Sequence, residues 1–419
     1  MPTVLPRLRE DLDFLPSPLP ERPGLLLRDP FRYSEVSIIL PPPLVPCLTC
    51  FDGAHTDIDL NAMVFRETGR LDSAESAGGL TRGLSDAGFL DDDVFRGLRA
   101  KQHDVFARSA VRQAAFVGGG YPANRSELAR TVETWLEDPS TVIPAKASPP
   151  LPAPILAIAA PHVSPTGGVS SYGAAYRALG AEHGNRTVVI LGTSHYGRPN
   201  SFGLTRKPFA TPLGETTTDV ALVDQLERAA PDAVVVEDYC HAVEHSIEFQ
   251  VLFLQTLFGP GVRILPVLCG PFVGGPSSRS APPGSGRPED DSGVARMIGA
   301  LGQLRAHQGS GLLWVLGVDM AHMGRRYGDP WEARAHDGPM KEVAARDHAR
   351  LERVIEGDAD GFWDALHERG HDDLKWCGSA PLYAFLRAHP GVRGRVLNYD
   401  QWNIDDQSVV SFGALAFCL

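Results

Sequence analysis

From residue 155 onward the chain alternates two kinds of hydrophobic pattern. ILAIAA (155–160), TVVILGT (187–193), VRILPVLCG (262–270) and LLWVLGVD (312–319) are continuous apolar runs of strand length. Such runs belong to strands covered on both faces. Between them, Tyr172–Leu179, Val220–Ala229, Ile247–Leu257 and Gly293–Ala306 repeat apolar residues at helical spacing. Buried strands alternating with helices predict an α/β domain over 106–419, with a central, mostly parallel sheet and helices on both faces. The interval 274–293 is low-complexity and is expected to be a flexible surface loop. The proline-rich stretch 138–153 reads as a rigid connector.

The first 105 residues have a different texture. Residues 1–23 are proline-rich and predict an extended arm. Arg32–Leu40 alternates and is β-rich, a candidate strand. Leu44–Phe51, Asp57–Glu67 and Ala74–Leu90 carry helical patterns, with Asp52-Gly53 breaking the first from the second. One strand and three short helices suggest a small α+β winged-helix-like module. Its acidic residues outnumber its basic ones, and Ala74–Leu90 has only Arg82 against Glu75 and Asp86. That balance argues against DNA reading. Peptide docking on the edge of the Arg32–Leu40 strand fits better.

Composition adds exclusions. Hydrophobic residues make 43% and charged residues 21% of the 419 positions, ordinary globular usage. No stretch approaches the roughly 18–20 apolar residues of a membrane span. The start, MPTVLPRLREDLDFLP, lacks the basic and apolar regions of a signal peptide. A cytoplasmic protein without membrane or nucleic-acid partners is expected, the net charge of −12 opposing phosphate binding. Six cysteines are too sparse for a disulfide framework.

Three of the apolar runs lead at once into a histidine: His162, His195 and His322. Ligands of open α/β sheets bind beyond the carboxyl ends of the strands. Three such strands in one sheet would gather three imidazoles on one rim, with Asp319 beside them. A single histidine there is more often a hydrogen-bonded loop residue; three at equivalent positions point to a metal or an acid/base site. Cys377, just before a helical stretch, is either a metal ligand or nucleophile, or a buried thiol. His241–His245 reads HAVEH, a weak match to the H-x-x-E-H pattern of zinc proteases. Cys47 and Cys50 form a lone CxxC, better explained by helix packing than by zinc. There is no P-loop, no GxGxxG after a strand and no GxSxG.

The strings APH (160–162), LGTSHYG (191–197), EHSIEFQVLFL (244–254), LPVLCG (265–270), GVDMAHMG (317–324), the CG of WCGSAP (377–378), LNYD (397–400) and SVVSFGALAF (408–417) resemble the Memo family, also called AmmeMemoRadiSam system protein B. The likeness covers roughly 112–419. It implies a fold related to class III extradiol dioxygenases. It also implies His162, His195 and Cys377 as metal ligands, with Fe(II) first and copper or zinc as alternatives. His322 would stand in the acid/base position with Asp319 beside the metal, and His245 and Glu248 would line the same cleft. The implied activity is an oxygen-dependent oxidoreductase on a small or peptide-borne substrate; a non-catalytic metal- or peptide-binding protein and a zinc hydrolase are the rivals. Gly120 stands where family members commonly carry a tryptophan, and Tyr196 where a second histidine is common. The first 105 residues resemble the small PqqD-like modules fused to some bacterial members.

Overall fold

The structure, a computed structural model, describes residues 2–69, 72–137, 154–273 and 286–419. The chain forms two compact units, Met1–Ser109 and Ala110–Leu419.

In the first unit, β1 (Asp13–Pro16), β2 (Leu25–Arg28) and β3 (Ser37–Leu40) make an antiparallel sheet in that order. A 3-10 helix (Pro42–Cys50) and helices α1 (Asp57–Thr68), α2 (Ser73–Asp86) and α3 (Asp93–Arg108) follow. The expected extended arm over 1–23 is therefore wrong. It contains β1, and Arg9 is buried, its guanidinium paired with Asp29 and bonded to the Gly88 carbonyl at 2.9 Å. Proline content concealed the strand, but Pro16 ends an edge strand, where a missing N–H is tolerated. Helix α3 escaped the pattern because Phe106 is the one residue it fully buries. Cys47 and Cys50 lie in this unit's core with Leu27, Leu60 and Phe89.

The second unit is built on a large mixed sheet. Its strands are β4 (Ala157–Ala160), β5 (Thr187–Thr193), β6 (Phe202–Leu204), the small hairpin β7 (Ala210–Thr211) and β8 (Gly214–Glu215), β9 (Thr217–Thr218), β10 (Val234–Val236), β11 (Arg263–Cys269), β12 (Leu312–Gly317), β13 (His322–Gly324), β14 (Arg393–Asp405) and β15 (Ser408–Cys418). The sheet runs β10-β6-β11-β5-β12-β4-β15-β13, with β14 on β15 and β9 on β11. The middle strands β11, β5, β12 and β4 are mutually parallel. β10 on β6 and β9 on β11 are also parallel, but β15 is antiparallel to β4, β13 and β14, and β6 to β11, so the expected mostly parallel sheet is a mixed one. The long β14–β15 hairpin closes one side of the sheet, and β15 is buried along its whole length.

Helices α4 (Arg125–Glu137), α5 (Val169–Tyr176), α6 (Val220–Ala229), α7 (Cys240–Val243), α8 (Glu248–Phe258), α9 (Ser292–Gln308), α10 (Met340–Ile355), α11 (Ala359–Leu366) and α12 (Ser379–Ala388) cover it. Side chains alternate along each central strand, as the pleat requires. Val188 and Ile190 pack with residues of α4, α5 and α8. Val189 and Leu191 pack with residues of α6, α9, α10, α11 and α12. Among the described residues, no helix is long and apolar enough to cross a membrane.

The proline-rich stretch 138–153 lies outside the described residues, as do residues 274–285 of the expected loop. The rest of that loop is structured. Pro288–Asp290 is a 3-10 turn, and the Asp291 carboxylate accepts the Gly293 and Val294 N–H groups to start α9. The run GRPEDDSG looked like linker by composition, yet its acids cap and its Arg287 pairs with Asp364 at 2.6 Å. Asp291→Ala removes this cap and is expected to cost about 1 kcal/mol, read as a lowered urea midpoint with an unchanged slope.

Candidate functional site

The three middle strands β5, β12 and β4 end side by side, and each hands the chain to a chemically active residue. His162 follows β4 by two residues, His195 follows β5 by two, and Asp319 follows β12 by two. His322 opens β13 immediately afterwards. Cys377 arrives from elsewhere. Gly378 abuts the end of β12, where an added Cβ would meet the Asp319 carbonyl at 2.6 Å, and its N–H donates to that carbonyl at 3.0 Å. This close approach sets Cys377 beside His162, with Sγ 3.2 Å from Nε2.

Four imidazoles meet here. The rings of His162 and His195 are 5.0 Å apart and perpendicular, and His245 lies 5.2 Å from His162 and stacks on His195 at 5.0 Å. Ligand atoms of His162, His195 and Cys377 all lie within 4.8 Å of one another. The same holds for Asp319, His322 and Cys377, and for His195, Glu244 and His245.

Hydrogen bonds orient each ring. His162 Nδ1 faces the Gly317 carbonyl at 3.0 Å, and His322 Nδ1 faces the Met320 carbonyl at 2.9 Å and that of Lys375 at 3.2 Å. A carbonyl only accepts, so Nδ1 carries the proton and Nε2 keeps its lone pair. His195 Nδ1 donates to both Glu244 oxygens at 3.1 Å, and His245 Nδ1 lies 3.2 Å from Glu244 Oε1. Glu244 also accepts the backbone N–H groups of His195, His245 and Ser246. Asp319 accepts the His162 N–H at 2.9 Å.

Burial and neighbouring charge set the protonation states. Burial pushes the His162 imidazole down to about 3, helped by His195. Burial takes His245 to about 3 and His322 to about 4, against the pull of Glu244 and Asp319 respectively. The crowded setting of His195 also opposes its charge. Glu244 and Cys377 outweigh this and raise it well above the ordinary value. Burial would raise Glu244, but the His195 and His245 rings and backbone N–H groups hold it well below the usual carboxylate range. Burial raises Asp319 and the Cys377 thiol.

Glu248, expected in the same cleft, points elsewhere. Its carboxylate is fully buried against Arg112 and accepts from Ala115 N, Phe116 N and the Tyr121 hydroxyl at 2.9, 3.0 and 2.5 Å. It ties the segment entering this unit to the start of α8, leaving no oxygen for the cluster. The HAVEH reading also fails, because α7 is one turn long and His241 Nε2 faces the Gly203 carbonyl at 3.0 Å. Glu244 was missed as a functional residue. Its only sequence signal is its place beside His245, inside a pattern that suggested a different chemistry.

The architecture is that of an α/β protein with an imidazole, thiol and carboxylate cluster beyond the carboxyl ends of its parallel strands. A family model described as Memo-like protein matches residues 112–274 and 289–416, and the chain belongs to that family. A MEMO1 family protein of Aquifex aeolicus is 27% identical over 396 residues, covering 94% of this chain and 95% of its own length. MEMO1 family proteins of Ignicoccus hospitalis and Thermococcus kodakarensis are 28% and 26% identical. They match 74% and 73% of this chain along 99% of their own lengths.

If Glu248 is a structural clamp, Glu248→Gln leaves Arg112 buried without its counter-charge. The expected cost is about 3 kcal/mol or more in chemical denaturation, with the metal-binding stoichiometry of the folded fraction unchanged.

Proposed function

We propose that the second unit is a non-haem iron protein, an oxygen-dependent oxidoreductase acting on a small or peptide-borne substrate, with His162, His195 and Cys377 as the metal ligands. The observation that carries this reading is the donor set. Two imidazole nitrogens and one sulfur lie within 4.8 Å of one another. Donors on one ion at bond lengths of about 2.0–2.3 Å stand roughly 3–4 Å apart, so small shifts close the set. Mixed imidazole and thiolate ligation suits iron, copper or zinc. A redox-active ion held there supplies one-electron chemistry toward dioxygen.

The chain's own residues do the rest. Glu244 fixes the His195 tautomer and raises its basicity, as carboxylates behind ligand histidines do. Asp319 anchors the His162 backbone and presents a buried carboxylate beside the cluster. His322, held through Nδ1, keeps a free Nε2 that can take and return a proton at neutral pH. His245, stacked on His195, walls the cluster against water together with Phe116 and Phe249. The layered sheet with ligands at strand ends is the basis for likening this unit to class III extradiol dioxygenases. For the first unit, a winged-helix-like module, peptide docking on the outer edge of β3 is the reading its acidic composition favours.

The test is metal content after anaerobic purification, followed by oxygen consumption against candidate substrates. One iron per chain is expected. Cys377→Ala and His162→Ala should empty the site, whereas His322→Ala should keep the metal and lose turnover. Tetrahedral zinc in anaerobically purified protein would sink the oxidase reading in favour of hydrolysis. Iron with no oxygen uptake would favour a non-catalytic binding protein.

Proton release provides an independent check. In the metal-free protein His195 and the Cys377 thiol both have raised proton affinities, so both hold protons at pH 7. Metal binding must displace them, and affinity therefore rises with pH. Calorimetry in buffers of different ionisation enthalpy should show about two protons released per ion at pH 7; a value near zero would contradict the ligand assignment.

A further inference from the structure

Behind the cluster, within the core, lies a carboxylate that the chemistry above does not use. Asp347, on α10, has no solvent exposure. Its Oδ1 accepts the Trp376 indole N–H at 2.7 Å. Its Oδ2 accepts the Tyr399 and Ser411 hydroxyls at 2.8 and 2.6 Å. A buried carboxylate is costly, and a fully apolar core would be easier to build. The identity of the three donors suggests what the carboxylate does.

Trp376 is the residue before Cys377. Ser411 Oγ, while donating to Asp347, accepts the Ala321 N–H at 2.8 Å, and Ser411 exchanges further backbone bonds with Met320 and Ala321. Ala321 is the residue before His322. One carboxylate thus grips the two chain segments that deliver the thiol and the acid/base imidazole. The Cys377 segment needs such a grip. Lys375 adopts a left-handed φ of 57°, unfavourable for a residue with a side chain. The segment is held by several bonds at once: Asp372 to Trp376 N at 2.6 Å, Lys375 Nζ to Asp329 at 2.8 Å, and the Lys375 carbonyl to His322.

We propose that Asp347 is a positioning residue: through Trp376 and Ser411 it fixes at once the loop that carries Cys377 and the strand that carries His322. Two partners on separate segments share one rigid acceptor, so the sulfur and the imidazole are set relative to each other and not only to their own backbones. The effect on metal binding rests on the reading proposed above; the effect on the thiol does not.

The experiment compares the full-length wild type with Asp347→Asn, Trp376→Phe and the double variant. Leu301→Ala, on α9 in the same apolar core, is a control for general loosening, since it breaks none of the Asp347 hydrogen bonds. Metal-free protein is followed by hydrogen exchange over residues 374–378 and by iodoacetamide labelling of Cys377, read by peptide mass spectrometry. Cobalt(II) binding is followed by the thiolate-to-cobalt absorption band. Asp347→Asn and Trp376→Phe should each speed exchange and Cys377 labelling about tenfold, weaken cobalt binding about tenfold and shift the band. The double variant should be no worse than the more affected single one, since both break the same link. If Asp347→Asn fails to fold, Trp376→Phe, which keeps an aromatic ring but removes the indole N–H and part of the bicycle, decides, with Leu301→Ala measuring what lost core volume does by itself. Exchange and labelling within about twofold of wild type, or changed equally by Leu301→Ala, would overturn the proposal. A wild type that takes up no cobalt at Cys377 would count against the metal reading, while the exchange and labelling results would still decide the role of Asp347.

Discussion

The site depends on one row of the sheet. Ala160, Gly192 and Gly317 stand opposite one another across β4, β5 and β12. Two of the three lack a side chain, and the structure uses that space. A Cβ on Gly192 would meet Ser246 Oγ at 2.6 Å, and one on Gly317 would meet the Ser246 carbonyl at 2.3 Å. The segment 244–246 therefore lies directly on the strand ends, pinned by Ser246 Oγ to the Thr193 carbonyl at 2.7 Å. Glu244 and His245 ride on that segment. Side chains at the two glycine positions would lift it away, and His195 would lose the carboxylate that orients it.

Buried polar groups in this region are almost all engaged, as a low-dielectric interior demands. Glu244 accepts from the His195 ring and three backbone N–H groups, with His245 Nδ1 3.2 Å from Oε1. Gln250 reaches from α8 to the Pro161 carbonyl at 2.8 Å and to Tyr176 at 2.7 Å, holding the turn that carries His162. The result is a set of imidazoles whose tautomers and orientations are decided before any ligand arrives. Such preorganisation is what a metal or acid/base site requires. Burial keeps the cluster from being a collection of competing cations: it holds His162, His245 and His322 neutral at pH 7 against the pull of Glu244 and Asp319, while His195 alone is drawn toward charge.

The two units have different standing among the relatives. The Ignicoccus hospitalis and Thermococcus kodakarensis proteins are matched along 99% of their lengths by about three quarters of this chain. The Aquifex aeolicus protein matches 94% of it. The family model matches only within the second unit. The cluster residues all belong to that unit.

Local pattern settled much of this in advance. Continuous apolar runs give away strands buried on both faces, because a strand between two helical layers has no face left for polar residues. That is why β5 and α6 fall where the pattern put them and why three histidines after such runs were suspect. Period and composition are short-range signals, however, and they failed where a partner distant in sequence decides. Composition also masked two local features: proline content hid a strand whose hairpin partner is Leu25–Arg28, and an acidic, glycine-rich run hid the Asp291 cap of α9. Glu248 and Glu244 are four residues apart and look equally fit for the cleft. Arg112, more than a hundred residues earlier, claims the first, and the glycine row of the sheet delivers the second to His195. Sequence alone determined which residue types stand at the strand ends. Only the tertiary structure decided which of them face one another, because side-chain direction there depends on register and close packing between segments that the chain keeps far apart.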